Sequence, residues 1–221
     1  MIAMFRAVLS SQWKWSRLIV VVGTVAAFAI PLLTLQGAAL ADRVALQPQE
    51  LLRAVQSWGT AYPLLATALG LLMAITAWAP DHRGRHIHAL TLPIERWRYV
   101  LLRFGAGFVL LAAPIAAVVI GSSVAALTAT LPPGLQAYPI ALGVRFAFAV
   151  FVAYGVFFAV SAGTARTAGI VLGIIAALIL VQVVATIANL GVNLLSTAQT
   201  VLLLGPGPLA VFTGRWMLVD V

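Results

Sequence analysis

Cysteine is absent from this 221-residue chain. That removes disulfides, thiolate metal sites and cysteine nucleophiles from consideration. Charge is nearly absent as well: 8% of residues are charged and 63% are hydrophobic. A soluble domain carries roughly 25% charged and 45–50% apolar residues, so this chain cannot cover a water-facing surface. Acids are the scarcest group. All five Asp and Glu residues lie outside the apolar runs, which argues against a proton-driven carrier, since that chemistry needs buried carboxylates. No G-x-x-x-x-G-K-[ST] loop occurs, so ATP cannot be held by that route. Ser161 lacks a G-x-S-x-G setting and has no membrane-embedded histidine to pair with, which argues against a serine hydrolase.

What is present is a series of long apolar runs, which makes the chain an all-α, polytopic membrane helix bundle folded as one domain over 1–221. A spanning helix needs about 20 mainly apolar residues. Leu18–Leu40 (with a kink expected at Pro31), Tyr62–Ala79, Tyr99–Leu127, Ile140–Ala162 and Ala165–Ala188 satisfy that, giving five clear spans. After Asn189 the signal weakens, and Gly205-Pro206-Gly207-Pro208 interrupts it. Proline removes a backbone donor and clashes with the preceding turn. The 197–219 stretch therefore reads as a broken or re-entrant sixth element buried against the bundle, or as an external loop. Pro132, Pro133 and Gly134 mark a turn between the third and fourth spans. The spacing of Leu46, Leu51, Leu52 and Val55 predicts a short surface helix before the second.

Residues 1–17 are too polar to span. Arg6, Ser10, Lys14 and Arg17 share one helical stripe, with Phe5, Val8, Gln12 and Trp15 mostly opposite, which predicts a separate interfacial helix. The first apolar run is too long for a signal-peptide core and lacks a clear small-residue cleavage site. The net charge of +8 would point to nucleic acid in a soluble protein. Here it marks membrane flanks. Nine of the basic residues (Arg6, Lys14, Arg17, the five arginines from Arg83 to Arg103, and Arg166) fall on one side, against Arg43, Arg53 and Arg145 on the other. The positive-inside rule then places the N-terminus in the cytoplasm, and no nucleic-acid partner is expected.

The most informative stretch is Asp81–Arg103, which holds five of the thirteen Lys and Arg residues and all three histidines. A charged island between apolar helices must lie at a membrane surface. Pro93 favours an extended Leu92 and suits the first turn of a new helix, with Glu95 in that turn complementing the helix dipole. The island thus reads as an amphipathic helix near Arg85–Leu92, a break, and a third span that starts inside the cytoplasm. Such an arrangement is a lever that a partner can push. His82 and His86, four apart, would share a face as two metal ligands. With no third ligand placed beside them, and His88 equally unassisted, a charged interfacial loop is the preferred reading.

Other residues carry weaker signals. Arg145, about five residues into the fourth span, either contacts an anionic substrate or lipid or snorkels to the headgroups. Gly169 and Gly173 form a G-x-x-x-G, and Gly121 with Ala125 a looser small-residue pair. Either serves packing within the bundle or a subunit interface. Gln182 and Asn189 could line a cavity or bond neighbouring helices.

The pattern at Asp81, Gly84, Leu90, Leu92, Pro93, Arg96, Trp97 and Arg103 resembles the second cytoplasmic element of the ABC-2 type permeases, the membrane subunits of type-2 ATP-binding cassette exporters. The layout, without a large extracellular domain, is similar to the compact members. Arg85, His86, Ile87 and His88 stand where that family tends to Thr-Leu-Glu after the glycine. The resemblance implies that residues 81–98 form a coupling element docking on a nucleotide-binding subunit. Asp81, Arg83, Gly84, Arg85, Leu90, Leu92, Pro93, Glu95 and Arg96 would carry the contact. It also implies ATP and magnesium bound on that ATPase partner and none on this chain, a second permease copy or paralogue, a bacterial plasma membrane location and no enzymatic activity in this subunit. A non-transporting scaffold or anchor subunit of a larger membrane complex is the alternative.

Overall fold

The computed structural model describes residues 2–41, 48–83, 95–129, 131–163, 170, 173–174, 177, 180–181, 209–213 and 216–220. The chain forms two compact units, Met1–Phe158 with Arg215–Val221, and Ala159–Gly214. Helices dominate: α1 (Ile2–Ala41), α2 (Pro48–Ser57), α3 (Ala61–Arg83), α4 (Arg96–Thr128) and α5 (Pro139–Ala162). Two short strands, β1 (Gln136–Ala137) and β2 (Val219–Asp220), pair antiparallel. Four helical stretches are long and apolar enough to cross a membrane: Ile2–Leu35, Leu51–Ala79, Arg96–Thr128 and Pro139–Ala162. The chain is therefore a mostly helical, polytopic membrane protein with four such spans among the described residues.

The first correction concerns residues 1–17. They do not form a separate interfacial helix: from Ile2 they are the opening turns of the 40-residue helix α1. No proline or glycine lies between Ile2 and Val22 to stop it. Its inward stripe also continues without a phase change from Gln12 and Ser16 to Val20, Gly23 and Ala27, all buried. The outward stripe is as the sequence predicts, with Arg6, Ser10, Lys14 and Arg17 exposed. Trp15, expected opposite, is exposed too. The helix passes through Pro31.

The end of the chain adds no span among the described residues. Of 197–219, residues 210–212 form a single 3-10 turn and 216–218 run without regular structure into β2, so the described part is no spanning helix. Of the predicted fifth span, Ile170, Gly173, Ile174, Ala177, Leu180 and Val181 are described; they are helical and exposed, and five or six spans are not established. Gly169, Gln182 and Asn189 lie outside the described residues.

The packing of the first unit follows from small residues. In lipid, helices gain little from burying apolar area and associate through close van der Waals contact. Ala27, Ala66, Ala74, Ala106, Ala117, Ala125, Ala149 and Ala153 are accordingly buried. At Gly121 a Cβ would sit 2.5 Å from the Phe28 carbonyl oxygen, and at Gly70 it would sit 2.7 Å from the Tyr154 backbone nitrogen. These two glycines let α4 approach α1, and α3 approach α5, at backbone distance. Gly121 and Ala125 thus serve packing within the chain, whereas among the described residues a Cβ at Gly173 would meet nothing within 4 Å.

Paired contacts give the directions. Gln12 abuts Gly107 and Phe28 abuts Gly121, so α1 and α4 run parallel. Gly23 abuts Leu69 and Gln12 lies beside Met73, so α3 runs against α1. Val119 abuts Gly143 and Phe104 packs on Phe158, so α5 opposes α4. One end of this bundle therefore carries the last turns of α3 and the first turns of α4, the two anchors of the island. The other end carries α2 and the strands. Serine and threonine hydroxyls inside the spans find carbonyls one turn back: Ser16 Oγ donates to the Gln12 carbonyl at 2.8 Å, and Thr24 Oγ1 to Val20 at 2.6 Å. Lipid offers no water to take their place.

Filling the tightest approach is the direct check. Gly121→Val should destabilise the protein by about 1–3 kcal/mol, the usual range for overpacking, in reversible unfolding from mixed micelles. Gly155→Ala, where a Cβ would meet nothing within 4 Å, should be neutral or stabilising by up to about 1 kcal/mol through helix propensity.

Candidate functional site: the anchors of the basic island

Helix α3 continues past the apolar run through Pro80 to Arg83, so Asp81 and Arg83 belong to its last turn rather than to a separate surface element. Gly84, Arg85, Leu90, Leu92 and Pro93, with the predicted amphipathic helix and with His86 and His88, lie outside the described residues.

Helix α4 starts at Arg96, and Glu95 is its N-cap rather than a first-turn residue. The cause is local: Glu95 is extended (φ −60°, ψ 130°), and its carbonyl accepts the first intrahelical bond, from Tyr99 N–H at 3.2 Å. The carboxylate makes no cap hydrogen bond and instead pairs with Arg98 Nε at 2.9 Å. Both side chains are more than half exposed, so the pair contributes little to stability. Arg96 and Trp97 are exposed, and the Arg98 guanidinium lies 5.2 Å from the Trp97 ring centroid. The start of α4 thus presents Glu95, Arg96 and Trp97 outward, as a docking or headgroup surface requires.

Beneath these exposed residues the chemistry changes. Arg103, only 9% exposed, donates from Nη1 to the Ala77 carbonyl on α3. Its guanidinium lies 4.8 Å from the Tyr99 ring centroid and 5.5 Å from that of Trp78. Trp78 in turn donates from Nε1 to the Phe158 carbonyl on α5 at 3.2 Å. Phe104, Tyr154 and Phe158 complete an aromatic cluster with centroid separations of 5.1–5.5 Å, a range in which each pair adds about 0.5–1.5 kcal/mol beyond area. Gln12 and Tyr154 also meet here, at Gly107. The sequence pattern marked Arg103 only as a basic residue seven beyond Arg96. Its partners Ala77 and Trp78 lie on another helix, where no local signal points to them.

At the opposite end, Arg145 is half-buried, with its guanidinium 4.6 Å from the ring centroid of Trp216. Trp216 is 3% exposed and stacks on Tyr62 at 6.2 Å. The Arg145 guanidinium is thus held against a ring of its own chain. From Trp216 the chain runs on to Leu218, whose carbonyl accepts Tyr138 N–H at 2.9 Å, and to β2, which pairs Gln136 with Asp220 and Ala137 with Val219. Leu51 and Val55 of α2 are buried at this same end, and α2 contacts β2. No periodicity announces this strap, because two-residue strands carry none.

Among the described residues no group of three His, Cys, Asp or Glu side chains could hold a metal ion. Comparison with family models, with curated proteins and with solved structures finds no match.

The cysteine-free chain makes the strap testable. Facing residues of an antiparallel pair lie about 4.5–5.5 Å apart at Cα, within the about 4.4–6.8 Å that a disulfide spans. Gln136→Cys with Asp220→Cys should cross-link on mild oxidation, read by mass spectrometry. Gln136→Cys with Val219→Cys should not, because neighbouring residues of a strand face opposite sides.

Proposed function

We propose that this chain is the membrane-spanning permease subunit of an ATP-binding cassette exporter, with the basic island as the handle through which a separate ATPase drives it. The observation that carries this reading is the position of the island. Its two ends are the last turn of α3 and the N-cap of α4, and α3 and α4 are in direct contact just inside them through Arg103 and Ala77. A charged segment held by two adjacent apolar helices can pass a push directly to the spans.

On this reading the N-terminus and the island face the cytoplasm of a bacterial plasma membrane, in keeping with the distribution of arginines. Two copies, or one copy and a paralogue, form the pathway, and two ATPase subunits that bind ATP and magnesium dock beneath. Closure of the ATPases moves the island and reorients the spans as rigid bodies. A fifth span over 165–188 completes the membrane domain, with the exposed helical face at Ile170, Gly173 and Ile174 available to the second copy, and a broken or re-entrant element follows it. Asp81, Arg83, Gly84, Arg85, Leu90, Leu92, Pro93, Glu95 and Arg96 make the ATPase contact. This subunit itself catalyses no reaction.

The test is Pro93→Gly combined with Glu95→Arg. Stimulation of the co-purifying ATPase should fall at least about fivefold, the low end of a coupling free energy of about 1–3 kcal/mol, while membrane insertion persists. Unchanged transport would overturn the lever, and co-purification with a redox or other enzyme complex in place of an ATPase would favour a scaffold subunit.

A further inference from the structure

Arg103 lies seven residues beyond Arg96, about 10 Å along α4 at 1.5 Å per residue. An arginine at that depth ordinarily snorkels, turning its head back to the interface. This one does not. It is buried, and it reaches sideways to the Ala77 carbonyl and the Trp78 ring on α3, with Tyr99 of its own helix against it. The geometry uses what is particular to guanidinium: a planar, permanently charged group that stacks on rings while its edge donates hydrogen bonds. Lysine offers a point charge and no plane. Trp78 then carries the connection to α5 through its Nε1–H bond to the Phe158 carbonyl. One side chain therefore ties α4 to α3 and, at one remove, to α5, immediately inside the two anchors of the island.

We infer that Arg103 is a positioning residue that clamps the two anchors of the island together, so that α3 and α4 take up a displacement as one body rather than α4 tilting alone. The clamp is a property of the chain itself; its consequence for transport rests on the permease reading above. Without it, a push on the island would be shared between two independently moving helix ends, and part of the displacement would be lost before reaching α5.

Spin labels test the clamp in the full chain in nanodiscs, using cysteines placed at Ile75 and Leu101, both exposed on α3 and α4. A control pair at Val22 and Val109 reports α1 against α4 away from the clamp. Pulsed EPR should give one narrow distance distribution for Ile75–Leu101 in the parent. Arg103→Gln should lose it, Arg103→Lys should recover it only in part, and the control pair should stay narrow. Tyr99→Leu, which strips one ring and leaves the guanidinium in place, is a milder variant with the same expected direction. An unchanged Ile75–Leu101 distribution in Arg103→Gln and Tyr99→Leu would overturn the clamp. So would equal broadening of both pairs, which is general loosening. Failure of the permease reading looks different: the distances respond as expected, yet no ATP-binding cassette partner is stimulated by the parent protein.

Discussion

A charge in hydrocarbon needs a partner, and the seating of two arginines organises both ends of this bundle. Arg103 lies in α4 beyond its basic first turn and Arg145 is the one charged residue of α5, and each is held against aromatic rings: Arg103 by Tyr99 and Trp78, Arg145 by Trp216. The negative face of an aromatic ring attracts a cation most strongly where water is excluded. Each arginine therefore binds an element distant in sequence. Arg103 joins the ends of α3 and α4. Arg145 holds the strap at the opposite end.

Between those ends, packing is carried by small residues. Gly70 and Gly121 admit backbone contact, and rows of alanine keep the helices close enough for dispersion to act. Since lipid competes for apolar surface as well as protein does, shape rather than hydrophobicity selects which helices meet. An aromatic cluster of Phe104, Phe151, Tyr154 and Phe158 with Trp78 lies next to the Arg103 clamp.

The far end is built differently. There α2, the Tyr62–Trp216 stack and the β1–β2 pair form a cap of short elements, none of which would be stable alone. Its backbone bonds run between segments far apart in the chain, at Tyr138 with Leu218 and in the Gln136–Asp220 and Ala137–Val219 register. The cap thus fixes the loop after α4 relative to the end of the chain.

Much of this was legible in composition and periodicity. Hydropathy marks the four described spans, because the length of apolar chain that crosses a bilayer is set by the bilayer. Leu51 and Val55 announce α2, the stripe of Arg6, Ser10, Lys14 and Arg17 announces the exposed face of α1, and Gly121 with Ala125 announces a close approach. Where the sequence misled, the reason is physical. A change from polar to apolar residues does not break a helix, so α1 runs through Arg17 unbroken. Tertiary structure alone decided the partners of Arg103 and Arg145 and the return of Trp216 to Tyr62. Local rules describe how a residue relates to its neighbours within a turn or a strand, and these contacts join residues whose proximity exists only once the helices have packed.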